Sequence, residues 1–338
     1  MVCQPRAPRP ITRLSQLAMR RLFVLTALLF ASPAQALTID WVTVGDPGNA
    51  CDTQSQGCFG SVADVYLISK HETTNAQYAE FLNAVADTDT YGLYDTAMGN
   101  PTPGWYGGIT RSGDSGSYTY STIAGREDMP VVWVSFYDSL RFANWLHNGQ
   151  PMGEQNVTTT EDGAYTITAQ GIADNSIARN TDATIFLTSE DEWYKAAYYD
   201  ALSTSYFDYP AGSDVPTTCA APGATPNRAN CHDAVGDFTD VGSYTGSASP
   251  NGTFDQGGNV WECNEAIISS NRGLRGGYSI AGPGLLAASS RDSNMPMANE
   301  DNVVGFRVAS IPEPSTALLL ATGLAGLAAA GRRRRQRV

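Results

Sequence analysis

The segment from Asp255 to Glu262 places two carboxylates at the ends of a glycine-rich turn, Asp-Gln-Gly-Gly-Asn-Val-Trp-Glu. Calcium takes about six to eight oxygen ligands, and a turn can supply backbone carbonyls between flanking carboxylates. This spacing indicates a structural calcium site that would hold loops together. A glycine turn stabilised by hydrogen bonds alone is the alternative.

Four cysteines stand in two close pairs, Cys51 with Cys58 and Cys219 with Cys231. Each pair would close a short loop rich in Gly, Pro or Asn, which in an exported protein indicates two disulfides. Four cysteines allow about three connectivities, so the pairing rests on proximity alone. Zinc is the alternative, but no Cys-x-x-Cys or paired-histidine motif supports it. Cys263 is then predicted to be a buried free thiol.

Other chemistries find little support in the chain. The three histidines, His71, His147 and His232, stand far apart, and no hydrolase or phosphate-binding motif occurs. Residues 37–311 hold 11 basic and 33 acidic residues, a net charge of −22. Because so acidic a body repels phosphate backbones, nucleic-acid binding is excluded.

The elements that must position these residues are short. Of the 338 residues, 42% are hydrophobic and 33 are Gly, which indicates a folded, loop-rich chain. Apolar runs predict strands at Trp41–Val44, Val65–Ile68, Val131–Val134, Thr184–Leu187 and Val303–Val308. Cap residues and apolar spacing predict helices at 76–85, 137–146 and from about 190 to 199, and the Thr-rich segment 156–168 predicts an inserted hairpin. We therefore expect one large α+β domain, residues 37–310, with little regular secondary structure.

The N-terminal segment has the order of a secretory signal peptide. Arg20 and Arg21 precede an apolar run, Leu22–Phe30, and the small residues of Ala34-Gln35-Ala36 follow. Residues 1–36 are therefore predicted to be removed on export. The alternative is a transmembrane helix, but this apolar run is too short to cross a core of about 30 Å.

The C-terminal segment, 311–338, resembles a known sorting signal. Pro312-Glu313-Pro314 precede an apolar stretch with a predicted transmembrane helix at about 315–331, and Arg332–Arg335 follow. This order is similar to the PEP-CTERM signal of Gram-negative bacteria. The resemblance implies recognition by an exosortase, transient or stable anchoring in the membrane, and display at the cell surface or in extracellular matrix. A plain C-terminal anchor is the alternative.

Five blocks occur in order through the body of the chain: Lys70–Tyr78, Met129–Leu146, Leu187–Ala197, Gly257–Glu262, and Arg275–Tyr278 with Arg291 and Gly305–Arg307. Together they resemble the formylglycine-generating enzyme (sulfatase-modifying factor) family. The resemblance implies a C-type-lectin-like fold. It also implies calcium ligands, by position: the side chains of Asp255 and Glu262 with the carbonyls of Gly258 and Val260, and a second site from Asn230, the Cys231 carbonyl and Asp233 or Asp237.

The chain departs from the family where copper would bind. Formylglycine-generating enzymes hold copper(I) through two cysteines after the Arg-Gly-Gly block, since thiolates suit that ion. Here Gly276–Ala288 contains no cysteine, and the family positions fall near Ala281 and Pro283–Leu285. Copper is therefore not expected, and no catalytic or cofactor-binding residue is assigned. Arg275, Arg291 and Arg307 are predicted to pair with buried carboxylates such as Glu192 or Glu262, while Glu72 is predicted to cap a helix.

These features favour an exported, surface-sorted, non-catalytic module, stabilised by calcium, that binds extracellular polysaccharide or protein. One alternative is an oxygen-dependent oxidoreductase of the sulfatase-modifying factor and nonheme iron superfamily, and another is a calcium-stabilised structural component of the matrix. The loop Gly92–Gly125, with Trp105, could form a binding face or pack on its own aromatic residues. The sequence leaves these alternatives open.

Overall fold

A computed structural model describes Met1, residues 36–293 and residues 298–312. The predicted signal peptide, except Met1 and Ala36, and the predicted membrane helix at about 315–331 lie outside these ranges. Within them, no helix is both long and apolar enough to cross a membrane.

Short strands and four α-helices make up the described elements. The strands are β1 (Trp41–Val44), β2 (Asp52–Gln54), β3 (Gly57–Phe59), β4 (Tyr66–Ser69), β5 (Ile109–Ser112), β6 (Thr119–Thr122), β7 (Ile185–Leu187), β8 (Tyr199–Asp200), β9 (Ser205–Tyr206), β10 (Thr218–Cys219), β11 (Arg228–Ala229), β12 (Trp261–Ile268), β13 (Asn271–Arg275), β14 (Val304–Gly305) and β15 (Val308–Ser310). The helices are α1 (Asn75–Val85), α2 (Phe136–His147), α3 (Ala169–Ala173) and α4 (Glu190–Tyr198).

An antiparallel sheet with the strand order β1-β4-β15-β7 joins both ends of the domain. Ala309 pairs with Ile68 on one side and with Phe186 on the other, so the last described strand lies at the centre. The strands β13, β12 and β14 form a second sheet, in which β12 pairs antiparallel with β13 and parallel with β14. This second sheet carries Trp261 and Glu262, two residues of the candidate site.

Aromatic side chains of α1 and α2 fill the core beside the first sheet. Phe81 and Phe142 meet edge to face with ring centroids 5.4 Å apart, and Phe142 meets Phe306 at the same separation. Trp145 lies 5.3 Å from Phe81. All four side chains are buried, and large buried rings supply much of the free energy of folding.

Each long helix begins with a capping box. Thr74 and Gln77 form the box at the start of α1, and Ser135 and Asp138 form it at the start of α2. At the start of α4, the Ser189 hydroxyl accepts from the Glu192 amide. These reciprocal bonds satisfy backbone amides that the first helical turn leaves without partners. The three predicted helices are confirmed, but the prediction that Glu72 caps α1 is wrong, because its side chain is buried in the candidate site instead.

Two other sequence predictions fail for tertiary reasons. Val131–Val134 is not a strand; its apolar side chains pack into the core, and the backbone of Val131 bonds to Thr73. Segment 156–168 forms successive turns rather than a hairpin, since the Asn156 carbonyl accepts amides from residues 159, 160 and 161. Asn144 of α2 then holds this segment by donating to the carbonyls of Thr160 and Tyr165.

Both predicted disulfides are present. Cys51 pairs with Cys58 across the β2–β3 hairpin, and Cys219 pairs with Cys231, so that β10 is joined to the loop that follows β11. Cys263 is a free, buried thiol, as predicted. The two bridges therefore tie loop regions in which regular hydrogen-bonded structure is sparse.

The buried cap residue Asp138 leads to a prediction about pH. Burial raises the pKa of Asp138 to about 6, although hydrogen bonds from Ser135 oppose the rise. A proton is thus held more tightly in the folded than in the unfolded chain, so this contribution to stability is full below about pH 4 and is lost as pH rises through about 6. We expect Asp138→Asn, which keeps an acceptor for Ser135, to remove this loss, on the order of a few kcal/mol.

The measurement is the free energy of unfolding of both proteins in urea between pH 4 and pH 7.5. The wild-type protein should lose stability relative to the variant across this range. Parallel profiles for the two proteins would show that the carboxyl titrates normally in the folded state.

Candidate functional site

A fully buried ion pair lies at the centre of the site. Arg307 donates to both carboxylate oxygens of Glu262, at 2.5 and 2.7 Å, and Glu262 also accepts from the indole of Trp193 at 2.7 Å. The guanidinium of Arg307 further donates to the carbonyls of Ser69 and Phe254. Arg307 therefore links the two sheets, because it donates both to Glu262 in β12 and to Ser69 at the end of β4.

Two more carboxylates surround this pair. Glu72 is 1% exposed, and its Oε2 atom is buried with no hydrogen-bond partner. Burial raises the pKa of Glu72 well above its usual value, and the charges of Asp255 and Glu262 raise it further. Burial also raises the pKa of Asp255, to about 6. We call Glu72, Asp255, Glu262 and Arg307 the acidic core cluster; with all four groups ionised it would carry two net negative charges.

The turn between the two predicted ligands is held in a tight conformation. Gly258 has φ +87°, and a Cβ atom there would lie 2.3 Å from the carbonyl oxygen of Asn230. Asn259, also with positive φ, accepts from the amide of Asn230 and the backbone of Thr239. The glycine is thus required by conformation and by close approach together.

A small cavity adjoins this turn. It has a volume of about 20 Å³ and is lined by Asp255, Gln256 and Gly257 together with polar residues such as Thr217 and Ser249. That volume suits one water-sized occupant. The cavity is polar on the Asp255 side, but among the described residues no three His, Cys, Asp or Glu side chains come together as they would around a metal ion.

The second predicted calcium site is not assembled in the same way. Asp233 is exposed, and the carboxylate of Asp237 is paired with Arg126 at 2.7 and 2.9 Å. Asn230 contacts Asp237 through the backbone carbonyl of that residue, at 2.8 Å, and the Cys231 carbonyl accepts from the Ala234 amide. The carboxylates named for this site therefore do not converge on Asn230, because Arg126 holds one and solvent surrounds the other.

The predicted scaffolding role of the arginines holds, with one correction. Arg275 and Arg291 both pair with Glu190, at 2.7 and 2.5 Å, and Arg307 pairs with Glu262. Glu192, named as a candidate partner, instead pairs with Arg179 at 2.7 Å. The reason is the direction of α4, whose first residue, Glu190, points toward β13 while the third closes the capping box.

The positions where the family has copper-binding thiols lie beside an open cleft. Ala281 is buried, and residues Pro283–Leu286 form a 3₁₀ turn. The cleft has a volume of about 240 Å³, and Trp261, Tyr278 and Leu285 lie among its lining residues. Without sulfur ligands, these residues do not fit a copper(I) ion.

The free thiol of Cys263 lies where it does not replace the copper-binding cysteines of the family. Cys263 lies in β12, is 3% exposed and lies 3.6 Å from the hydroxyl of Ser139. Burial raises its pKa to about 12. Because the thiolate is the species that binds metals and attacks substrates, burial and the raised pKa both disfavour such reactions at Cys263.

The sequence points to Trp105 in a loop that could form a binding face, but it does not indicate its partner Trp133. Trp105 and Trp133 stack with ring centroids 5.6 Å apart, and the Trp133 indole donates to the Trp105 carbonyl. Trp133 has φ +62°, a conformation that a bulky residue adopts only when its surroundings impose it. No spacing signal in the sequence predicts this pair, since the residues lie 28 positions apart.

The fold and the buried Arg–Glu scaffolding define a loop-rich α+β domain of the sulfatase-modifying type. A model of the sulfatase-modifying factor enzyme 1-like domain matches residues 59–311, more than half of the chain, so the chain belongs to that family. A model of the PEP-CTERM protein-sorting motif matches residues 310–335. The predicted family and fold class are thereby confirmed, and the protein is an exported one with a signal for the exosortase machinery.

Solved structures resemble the chain in fold. The crystal structure of CarF is 20% identical, with 82% of this chain and 100% of that chain covered and a TM-score of 0.52. Treponema denticola variable protein 1 is 17% identical, with 83% and 100% covered and a TM-score of 0.47. PvdO from Pseudomonas aeruginosa is 18% identical, with 82% and 93% covered and a TM-score of 0.43. No curated protein matches the chain in sequence.

Proposed function

We propose that the exported domain is a non-catalytic binding module, stabilised by calcium, and that it has lost the oxidase chemistry of its family. The observation that carries the proposal is the position and bonding state of each cysteine. Of the six cysteines, four form disulfides, Cys3 lies in the predicted signal peptide, and Cys263 is buried. No thiolate is therefore available beside the cleft to hold copper(I).

Calcium is proposed at the acidic core cluster. Asp255 would supply a carboxylate oxygen, and the carbonyls of Gly258 and Val260 would supply others. Both oxygens of Glu262 already accept from Arg307, so Glu262 would offer calcium only a remaining lone pair. The unpaired Oε2 atom of Glu72 is a further oxygen ligand that the sequence did not suggest. A divalent cation here would compensate buried negative charge and hold the turn against the loop around Asn230.

The test loads the exported protein with calcium, copper(I) or iron(II), removes unbound ions, and measures bound metal and melting temperature. We expect about one calcium per chain and a higher melting temperature, with the calcium effect lost in Asp255→Ala. Asp233→Ala is the matched control and should retain the calcium effect. Stoichiometric copper or iron with oxygen consumption on a thiol substrate would overturn the non-catalytic assignment.

A further inference from the structure

Six of the eight described residues that line the cleft are aliphatic or aromatic, and two are aspartates. Trp261 and Tyr278 lie with ring centroids 6.1 Å apart and an interplanar angle of 30°, and Leu285 and Val303 extend the lining. Its volume of about 240 Å³ is close to the lower limit of small-ligand sites, about 300 Å³. Its open form suits part of a longer chain rather than an enclosed metabolite.

The stacked tryptophans continue this surface. Trp133 donates its backbone amide to the carbonyl of Asp301, and Asn302 donates to the carbonyl of Gly104, next to Trp105. Segment 301–303 thus lines the cleft on one side and supports the tryptophan pair on the other. Trp105 remains 48% exposed, so a flat aromatic ring faces solvent beside the cleft.

The polar groups of the cleft carry a single sign of charge. Asp292 and Asp301 are among the described residues that line it, and those residues include no Lys, Arg or His. Carboxylates accept hydrogen bonds from hydroxyl and amino groups, whereas they repel carboxylate and sulfate groups. The negative body of the protein, −22 over residues 37–311, reinforces that selection.

We propose that this cleft and the Trp105–Trp133 pair bind an extended polysaccharide that bears no acidic groups, with neutral or amino-substituted sugars. The electron-rich faces of Trp105 and Tyr278 would lie against the C–H faces of sugar rings, and Asp301 would accept from sugar hydroxyl or amino groups. The proposal rests on the binding-module function and specifies its ligand class. A basic peptide is the rival occupant that the same charge would permit.

The experiment measures migration of the exported protein, by affinity electrophoresis, through gels that contain a soluble β-linked glucan, chitosan, alginate or polylysine. We expect retardation by the glucan or chitosan and none by alginate. Trp105→Ala, which removes an exposed aromatic anchor, should weaken retardation about tenfold or more, and Leu285→Ala, which removes apolar contact without changing the charge, should also weaken it. Both positions are partly exposed, so the fold should survive, which circular dichroism would verify.

Leu202→Ala is the matched control, because Leu202 is an exposed apolar residue that does not line the cleft. It should bind as the wild type does. The proposal would be overturned by no retardation with glucan or chitosan, or by retardation with polylysine or alginate alone. It would also be overturned if both cleft variants bound as strongly as the wild type. The metal-loading result stands apart from all of these outcomes, so a failed ligand assignment and a failed non-catalytic assignment are distinguishable.

Discussion

Arg307→Met is expected to lower the free energy of unfolding by about 3–5 kcal/mol, enough to unfold a marginally stable domain. The substitution removes both hydrogen bonds from Arg307 to the Glu262 carboxylate, and among the described residues only the Trp193 indole then still donates to that carboxylate. It also leaves Glu72 and Asp255 beside an uncompensated buried carboxylate. The expected loss of stability comes from the unpaired buried charge. The ion pair itself stabilises the fold little, because desolvating both charges offsets most of their attraction.

Urea denaturation of the wild type and the variant at pH 7 measures the effect. Asp40→Asn is the matched control, since it breaks the exposed Lys70–Asp40 pair, whose side chains are 36% and 71% exposed. That control should cost less than about 1 kcal/mol. A loss below 1 kcal/mol in Arg307→Met would show that removing the guanidinium leaves no uncompensated buried charge, and the acidic core cluster would then need no cation.

The sequence predicts local features of the fold well and distant ones poorly. Helix starts follow from residues within one turn, as at Ser135 and Asp138, and both disulfides join cysteines close in sequence. Val131–Val134 has the composition of a strand. Strand propensity alone does not show that these side chains pack into the core while their backbone has no partner strand. Glu72 precedes a helix by three residues, which suggests a cap, whereas contacts about 190 residues away determine its burial.

The candidate site shows the same division. The turn Asp255–Glu262 is contiguous, so its carboxylate spacing is visible in the sequence. The cleft is assembled from Trp261, Tyr278 and the segment around Asp301, with the tryptophan pair added from two further segments. Only the folded chain brings these five segments together, and single aromatic residues in a sequence indicate core packing more often than ligand contact. Periodicity therefore could not predict the aromatic surface.

Replacing Cys219 and Cys231 by alanine is expected to cost more stability than replacing Cys51 and Cys58. The loss of chain entropy in the unfolded state differs little between the two disulfides. Closing loops of 7 and 12 residues is expected to stabilise the folded protein by about 2.4 and about 2.8 kcal/mol. The native surroundings differ more. Cys231 is fully buried and packs against Leu286 and Ala229, whereas Cys58 is exposed in a hairpin that β2–β3 pairing already closes.

We expect a loss of about 3–5 kcal/mol for the Cys219–Cys231 pair and about 2 kcal/mol for the Cys51–Cys58 pair, measured by urea denaturation of each double variant. The first loss should also reach the cleft. Directly after Cys231, His232 and Asp233 donate their backbone amides to the carbonyls of Ala281 and Ser279, beside Tyr278. Weaker glucan retardation in the first double variant alone would show that this disulfide fixes the wall of the binding cleft; equal losses in both would place its effect in the unfolded chain.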